Sequence, residues 1–572
     1  MNKRDIVSIS FAIFILSTII LFFNIQKGEV QPWDEGLYAY RAREILNNHC
    51  WWDQTSVSLG NLYSSTYPPL VPWVMALNMK LFGTNLFAIR LFSVLSSALL
   101  ITLFFYFFSS LFNYQLSFLL SINLLISNVY FFYSRQGMLD IPLLLFIFLT
   151  FILLYKFLDS EKKYQKVIYG VGTSFFFACS LMTKVVLSFI PLISLPFIYK
   201  YFPKKKFAQS ILLFSLGILI ALPWHLYMSL KYGLEFLSVF VAAHIYSAVE
   251  SNTKQLGLLY YINQLLTSNA LLILSFLYLF VRFYKYGTKY FFFNGNFISD
   301  IFFAWFFVGL IIFSFAPTKL PHYTLYLLLP GIYLSLEFLC LEFAELSRKW
   351  KFITFSLFFV ALMWQLSPNL RLSIKFFSFN AFPYQILILF IVLLLTYLIY
   401  FLEKEAKIKQ ILNTKLFETI IYIVSISLLV STIVQISQKP TGKIFGGERV
   451  AKFLDNHKIN HFVYLFHKAN DSDTLNPQLA WYTNGSYFGK DPKKKIFFVN
   501  LPLEGINFQT IENLSNFPNN IVVYYIFDYL PNIEATIREI SIRRQILLIT
   551  PSYIIFSPEK PKWKIKTNEI SI

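Results

Sequence analysis

Apolar runs of membrane-crossing length recur along the first three quarters of the chain, separated by short polar loops. A membrane helix needs about 20 predominantly apolar residues. Thirteen segments are expected to cross: 5–23, 87–109, 115–133, 139–158, 166–183, 185–202, 207–229, 262–283, 298–316, 322–345, 350–367, 384–402 and 416–436. Beyond residue 436 the texture changes. Short β-type runs, "HFVYLF", "KKIFFVNL", "NNIVVYYIF" and "ILLITPSYIIF", alternate with helical stretches at 447–457 and 531–542. The pattern predicts a polytopic α-helical membrane domain over 1–436 and a small soluble α/β domain over 437–572.

Composition agrees with this division. The chain is 56% hydrophobic and 20% aromatic, with a mean hydropathy of +0.57, too apolar for a soluble core of 572 residues. The start, MNKRDIVSISFAIFILSTIILFF, is basic and then apolar. No small-residue cleavage site follows Phe23, so a retained first helix is expected. The formal charge is +19, and the lysines cluster in short loops, which points to membrane topology rather than to a nucleic-acid partner. With the N-terminus in the cytoplasm, "DSEKKYQK", "KYFPKKKF", "VRFYKYGTKY", "ELSRKWK" and "EKEAKIKQ" all face inward. Loop 24–86 and the 437–572 domain then face outward. Cys50, Cys179 and Cys340 suggest neither a disulfide framework nor a thiolate metal site.

The unusual polar residues gather on the outward side. They are Asp34 and Glu35, Arg135 and Asp140 in "YSRQGMLD", Lys184, the 223–233 corner, His244, and then Lys319, His322 and Tyr323 in "APTKLPHYTLY". Pro32 suits a helix start, and a carboxylate at Asp34 is favoured in the first turn. Asp34, Tyr38, Arg41 and Ile45 then share one helical face. Each residue taken alone has a plain structural reading: Asp34 and Asp140 as helix caps, Lys184 and Lys319 as snorkelling lysines, His244 as an interfacial histidine. No spacing marks a metal site. Together, cations at the headgroup level suit a lipid phosphate, and a neighbouring carboxylate suits a general base for an acceptor hydroxyl.

"DEGLYAYRAREIL", "YPPLVPWVMALNMKLFGTNLFAIRLFSVL", "RQGMLDIPLLLF", "TKVVLSFIPL", "LPWHLYMSLKYGLEFL" and "TKLPHYTLYLLLP" follow one another in an order that resembles the GT-C membrane glycosyltransferases. The likeness is to the branch holding protein O-mannosyltransferases and lipid A aminoarabinose transferases, over roughly 1–340. The resemblance implies a polyprenyl-phosphate sugar donor and an inverting transfer. It implies an acidic set of Asp34, the general base, with Glu35 and Asp140. Lys184, Lys319, His322, Tyr323 and Tyr38 fall at positions expected near the donor phosphate, and Tyr67, Arg135 and His244 are candidate contacts to donor or acceptor. The chain departs from aminoarabinose transferases at Thr66, at Tyr67-Pro68-Pro69 where they read Lys-Pro-Pro, at Leu37, and around His244 at Ala243 and Ser247. These departures weigh against aminoarabinose as the sugar and against a metal held by a Glu-His pair.

The expected protein is therefore a multi-pass glycosyltransferase of a bacterial inner membrane, with its site and C-terminal domain outside the cytoplasm. Its expected partners are a polyprenyl-phosphate sugar, membrane lipids, and an acceptor that is lipid, glycan or protein. No cofactor is implied. The rival readings are a transporter or flippase of a lipid-linked sugar, whose site belongs near the bilayer midplane, and an O-antigen-ligase-like enzyme, which shares the cations but need not have the Asp-Glu helix.

Overall fold

The computed structural model describes residues 3–559, apart from 33, 113, 247–256, 288–290, 376–413, 439–440, 443, 468–476, 502–512 and 527–532. Among the described residues six helices are long and apolar enough to cross a membrane: Arg4–Phe22, Leu86–Phe108, Asp140–Asp159, Lys204–His244, Phe297–Phe315 and Pro321–Glu345. Tyr114–Ile126 and Asn128–Ser134, bent by 67°, add a seventh if the pair is one span.

This is fewer than the thirteen expected, for identifiable reasons. The helix Lys163–Leu181 opens on Lys163, Gln165 and Lys166, which dilute its hydropathy. The 185–202 segment is a 3-10 stretch, Leu187–Ile193, containing Pro191, followed by the short helix Ser194–Tyr201. The 262–283 segment divides at Asn269 into Tyr260–Ser268 and Ile273–Tyr286. The expected spans at 350–367 and 416–436 are helical within Arg348–Lys375 and Thr414–Gln438. The span expected at 384–402 lies outside the described residues.

The two broken spans support each other. Asn269 donates to the Asn123 carbonyl (2.8 Å) and to Ser127 Oγ (3.0 Å), and Asn128 donates to the Thr267 carbonyl (2.9 Å). Backbone freed from a helix at membrane depth is tolerated where it is buried in protein and its polar groups find partners.

Aromatic packing fills the centre. Phe108 lies 4.9 Å from Tyr333 and 5.6 Å from Phe302, and Phe302 lies 4.6 Å from Tyr333. Lipid tails are as apolar as these rings, so close packing and interhelical polar bonds hold such helices together. One such tie is ionic. Arg282 and Asp300 are wholly buried and paired, and Arg282 lies 4.1 Å from the Phe303 ring. The single N–H of Asn294 is shared between both Asp300 oxygens (3.0 Å each), and the Tyr201 hydroxyl donates to Oδ2. Ser299 Oγ donates to Glu337 (2.8 Å), joining Phe297–Phe315 to Thr324–Glu337.

Among its described residues the C-terminal domain holds a five-stranded sheet; each of the four β-type runs supplies strand, and the last divides into two. Its strands are β1 (His461–His467), β2 (Lys495–Leu501), β3 (Ile521–Tyr525), β4 (Ile546–Ile549) and β5 (Tyr553–Phe556), in the order β2-β1-β3-β5-β4. β1 runs parallel to β2 and β3, while β5 is antiparallel to β3 and β4. Side chains alternate between two apolar layers: Phe462, Tyr464 and Phe466 enter one, Val463 and Leu465 the other. The helices Gly447–Asn456 and Ile533–Ser541 contribute one to each layer. A sheet covered on both faces needs this near-continuous hydrophobicity.

Asp300→Ala leaves Arg282 buried without its counter-charge. The expected cost is about 3–5 kcal/mol, read as a lower thermal midpoint in detergent; an unchanged midpoint would show that this pair does not hold the bundle.

Candidate active site

Adjacent carboxylates with different fates open the helix Asp34–Asn48. The helical turn of about 100° per residue sends Glu35 inward. Its oxygens receive Arg90 Nε (2.8 Å) and Nη2 (3.0 Å), Gly137 N (2.7 Å) and Gln31 N (2.7 Å). Arg90 also donates to the carbonyls of Ile25 and Glu29, both at 2.9 Å. Glu35 thereby pins the first turn of the helix to the Leu86–Phe108 span and to the turn before Asp140. Asp34 keeps partial access to solvent. It is close enough to act electrostatically on Tyr38, Tyr63, Tyr67, Tyr133, Lys184, His322 and Tyr323.

Asp140 begins its own span and is buried. It receives Lys184 Nζ (3.3 Å) and Tyr326 Oη (2.8 Å) on Oδ1. Lys184 sits at the end of the turn after Leu181, with its ammonium 5.1 Å from the Tyr323 ring centroid. Burial opposes the charge on Lys184, but Asp140, with Tyr323, Tyr67 and Asp34, outweighs burial and holds the ammonium above its usual range. His322 is buried between Tyr133 and Tyr323, with ring centroids 5.8 and 4.7 Å away.

Tyrosines close the cluster. Burial first, then Asp34, raises Tyr38 far above the ordinary phenol range. Burial does the same to Tyr67, although Lys184 works against it. Both therefore stay protonated and offer neutral O–H donors. Tyr38 and Tyr67 meet edge to face at 6.4 Å. Arg41, buried on the Asp34 face, donates to the Tyr67 carbonyl (2.8 Å) and to Gln54 Oε1 (2.9 Å from Nε) and so holds this loop. His244 stands behind Tyr67, with ring centroids 4.5 Å apart and a 3.4 Å contact from Nε2 to the Thr66 carbonyl.

The structure thus brings together Asp34, Tyr38, Tyr67, Asp140, Lys184, His322 and Tyr323, with His244 as a backing residue. Three residues singled out from the sequence have other immediate partners. Glu35 belongs to the Arg90 clamp. Arg135 donates to the Phe23 carbonyl (2.5 Å) and to Thr441 Oγ1 (2.8 Å). Lys319 donates to the Ala316 carbonyl, at 2.7 Å. Sequence reading missed Arg90, Tyr133 and Tyr326. Arg90 carried a usable signal, since an arginine inside a 23-residue apolar helix is costly enough to demand a partner. Tyr326 carried a weaker one, lying one helical turn beyond His322.

Residues 66–227 match the family model described as dolichyl-phosphate-mannose-protein mannosyltransferase. That segment holds Tyr67, Arg90, Asp140 and Lys184. No curated protein matches the chain in sequence. Among solved structures the chain is similar to ArnT from Cupriavidus metallidurans bound to undecaprenyl phosphate. The identity is 14%, the TM-score 0.61, and the match covers 97% of this chain and 98% of that one. The same protein in the apo state gives 15%, a TM-score of 0.60, and 96% of each chain. The likeness to the ArnT structures shows a shared fold. The chain therefore resembles the GT-C membrane glycosyltransferases of the protein O-mannosyltransferase and aminoarabinose transferase branch, in fold over nearly its whole length and by family model over residues 66–227.

Proposed function

We propose that this protein transfers a sugar from a polyprenyl-phosphate donor to an acceptor hydroxyl, with inversion, on the outer face of a bacterial inner membrane. One observation carries the reading: the Asp140–Lys184 pair, its carboxylate buried and its ammonium partly buried, lies within electrostatic reach of Asp34, among protonated tyrosines. The acceptor oxygen attacks the anomeric carbon, and the bond from that carbon to the phosphate oxygen breaks. The lipid phosphate leaves with the bonding electrons, and the acceptor proton passes to Asp34. Lys184, with Tyr323 and His322, steadies the phosphate as its charge grows. Asp140 and Tyr326 hold Lys184 in place. Tyr38 and Tyr67 supply hydrogen bonds to sugar or phosphate oxygens without adding charge.

The family match and the likeness to a structure bound to undecaprenyl phosphate support a lipid-phosphate donor. The position of the cluster supports transfer over transport. Asp140 opens one span, and Tyr323 and Tyr326 lie at the start of another, whereas transport sites sit near the midplane. The lysine-poor loops on this side support an outward-facing site.

The test is transfer of labelled sugar from a panel of polyprenyl-phosphate sugars by the purified chain, with envelope extract supplying acceptors. Asp34→Asn should lower turnover roughly 10²–10⁴-fold with unchanged expression and thermal midpoint; near-normal turnover removes Asp34 as the base. Tyr326→Phe should cost about tenfold, the worth of one hydrogen bond to a charged group, and no loss would detach Tyr326 from the site. A cysteine introduced by Trp52→Cys, with Cys50→Ser, should react in intact cells with a membrane-impermeant thiol reagent. Trp52 is 41% exposed, so labelling only after cell lysis would invert the topology.

A further inference from the structure

The C-terminal domain reaches the catalytic helix through backbone contact. Gly36 lies two residues past Asp34. A Cβ built there would stand 3.1 Å from Gln31 O, Gln478 N and the Pro477 carbonyl carbon. All three are backbone atoms, and two belong to the helix Pro477–Tyr482, so a methyl group at Gly36 would push the Asp34–Asn48 helix and that helix apart by a few tenths of an ångström.

A buried polar chain runs beside this contact. Glu29 Oε2 accepts from Phe445 N (2.8 Å), Gly446 N (2.9 Å) and Gln478 Nε2 (3.2 Å), all in the C-terminal domain. The Glu29 carbonyl accepts from Arg90, and Arg90 grips both oxygens of Glu35. Glu35 is the residue next to Asp34. Glu29, Arg90 and Glu35 are at most 5% exposed. Further along the same helix, Arg43 donates to the Trp481 carbonyl (2.8 Å) and lies 4.7 Å from its ring, and Glu44 pairs with Lys490 (2.8 Å).

We propose that the C-terminal domain is a positioning element of the active site: through Gly36 and through the chain Gly446–Glu29–Arg90–Glu35 it sets where the Asp34 carboxylate stands. Gly36 and Glu29 are positioning residues in this scheme and touch no substrate. The inference rests on the reading of Asp34 as the base. A carboxylate displaced by a fraction of an ångström binds donor as before but takes the acceptor proton less well. The cost therefore falls on kcat rather than on KM for the donor.

The experiment uses the full chain in detergent, with the most active polyprenyl-phosphate sugar as donor and activity normalised to monodisperse protein. Gly36→Ala and Glu29→Gln are each expected to lower kcat about tenfold or more, with KM for the donor within about twofold. Hydrogen–deuterium exchange should rise together at 34–48 and 477–482 and stay unchanged at 297–315. Lys452→Ala, on the exposed side of the same domain, should match wild type. Wild-type kcat in both positioning variants overturns the proposal. So does failure of both to fold, which would make the interface a stability element alone. A wild-type chain that transfers no sugar, or an active Asp34→Asn variant, counts instead against the function proposed above.

Discussion

Arg90 and Glu35 are completely enclosed, and the rest of the candidate site is arranged around their pairing. Burying two charges costs several kcal/mol per ion unless the remaining donors and acceptors are matched. Here they are matched: the guanidinium reaches both carboxylate oxygens and two carbonyls, and the carboxylate takes two further backbone N–H groups. The partners come from the end of the first helix, the acid helix, the Leu86–Phe108 span and the turn before Asp140. One ion pair therefore gathers four stretches of chain and anchors the first turn of the helix that Asp34 opens.

The second consequence is electrostatic separation. Glu35 is neutralised structurally, so the charged groups named in the cluster beyond it are Asp34, Asp140, Lys184 and, holding the Tyr67 loop, Arg41, with phenols among the donors. Asp140 and Lys184 compensate each other. Among the described residues Asp34 carries no ion pair, and it retains partial solvent access. The tyrosines offer hydrogen bonds beside Lys184 without adding charge. The Tyr67 loop is held by Arg41, and its ring is backed by His244.

The C-terminal domain belongs to the same mechanical unit. Glu29 bonds the domain through its side chain and Arg90 through its carbonyl, so the sheet domain and the bundle share one buried polar network. Arg135 reinforces the junction by bridging the end of the first helix to Thr441.

Several features were legible in the sequence because they depend on local pattern. Long apolar runs announced the long helices, short β-type runs announced the strands of the sheet, and the Asp-Glu helix start announced itself by its first-turn carboxylates. Long-range partners were not legible. The breaks at Ser127 and Asn269 look like continuous spans until their polar groups are seen to satisfy one another. Asp34 and Glu35 look interchangeable until helical rotation and a residue 55 positions away distinguish them. Gly36 reads as an ordinary small residue until the Pro477–Tyr482 helix is placed against it. The sequence alone determined which segments are oily, which are β-prone, and which acids open helices, since neighbours along the chain set those properties. Only the tertiary structure decided which acid is neutralised and which left available, because a buried charge takes its state from groups brought close by folding.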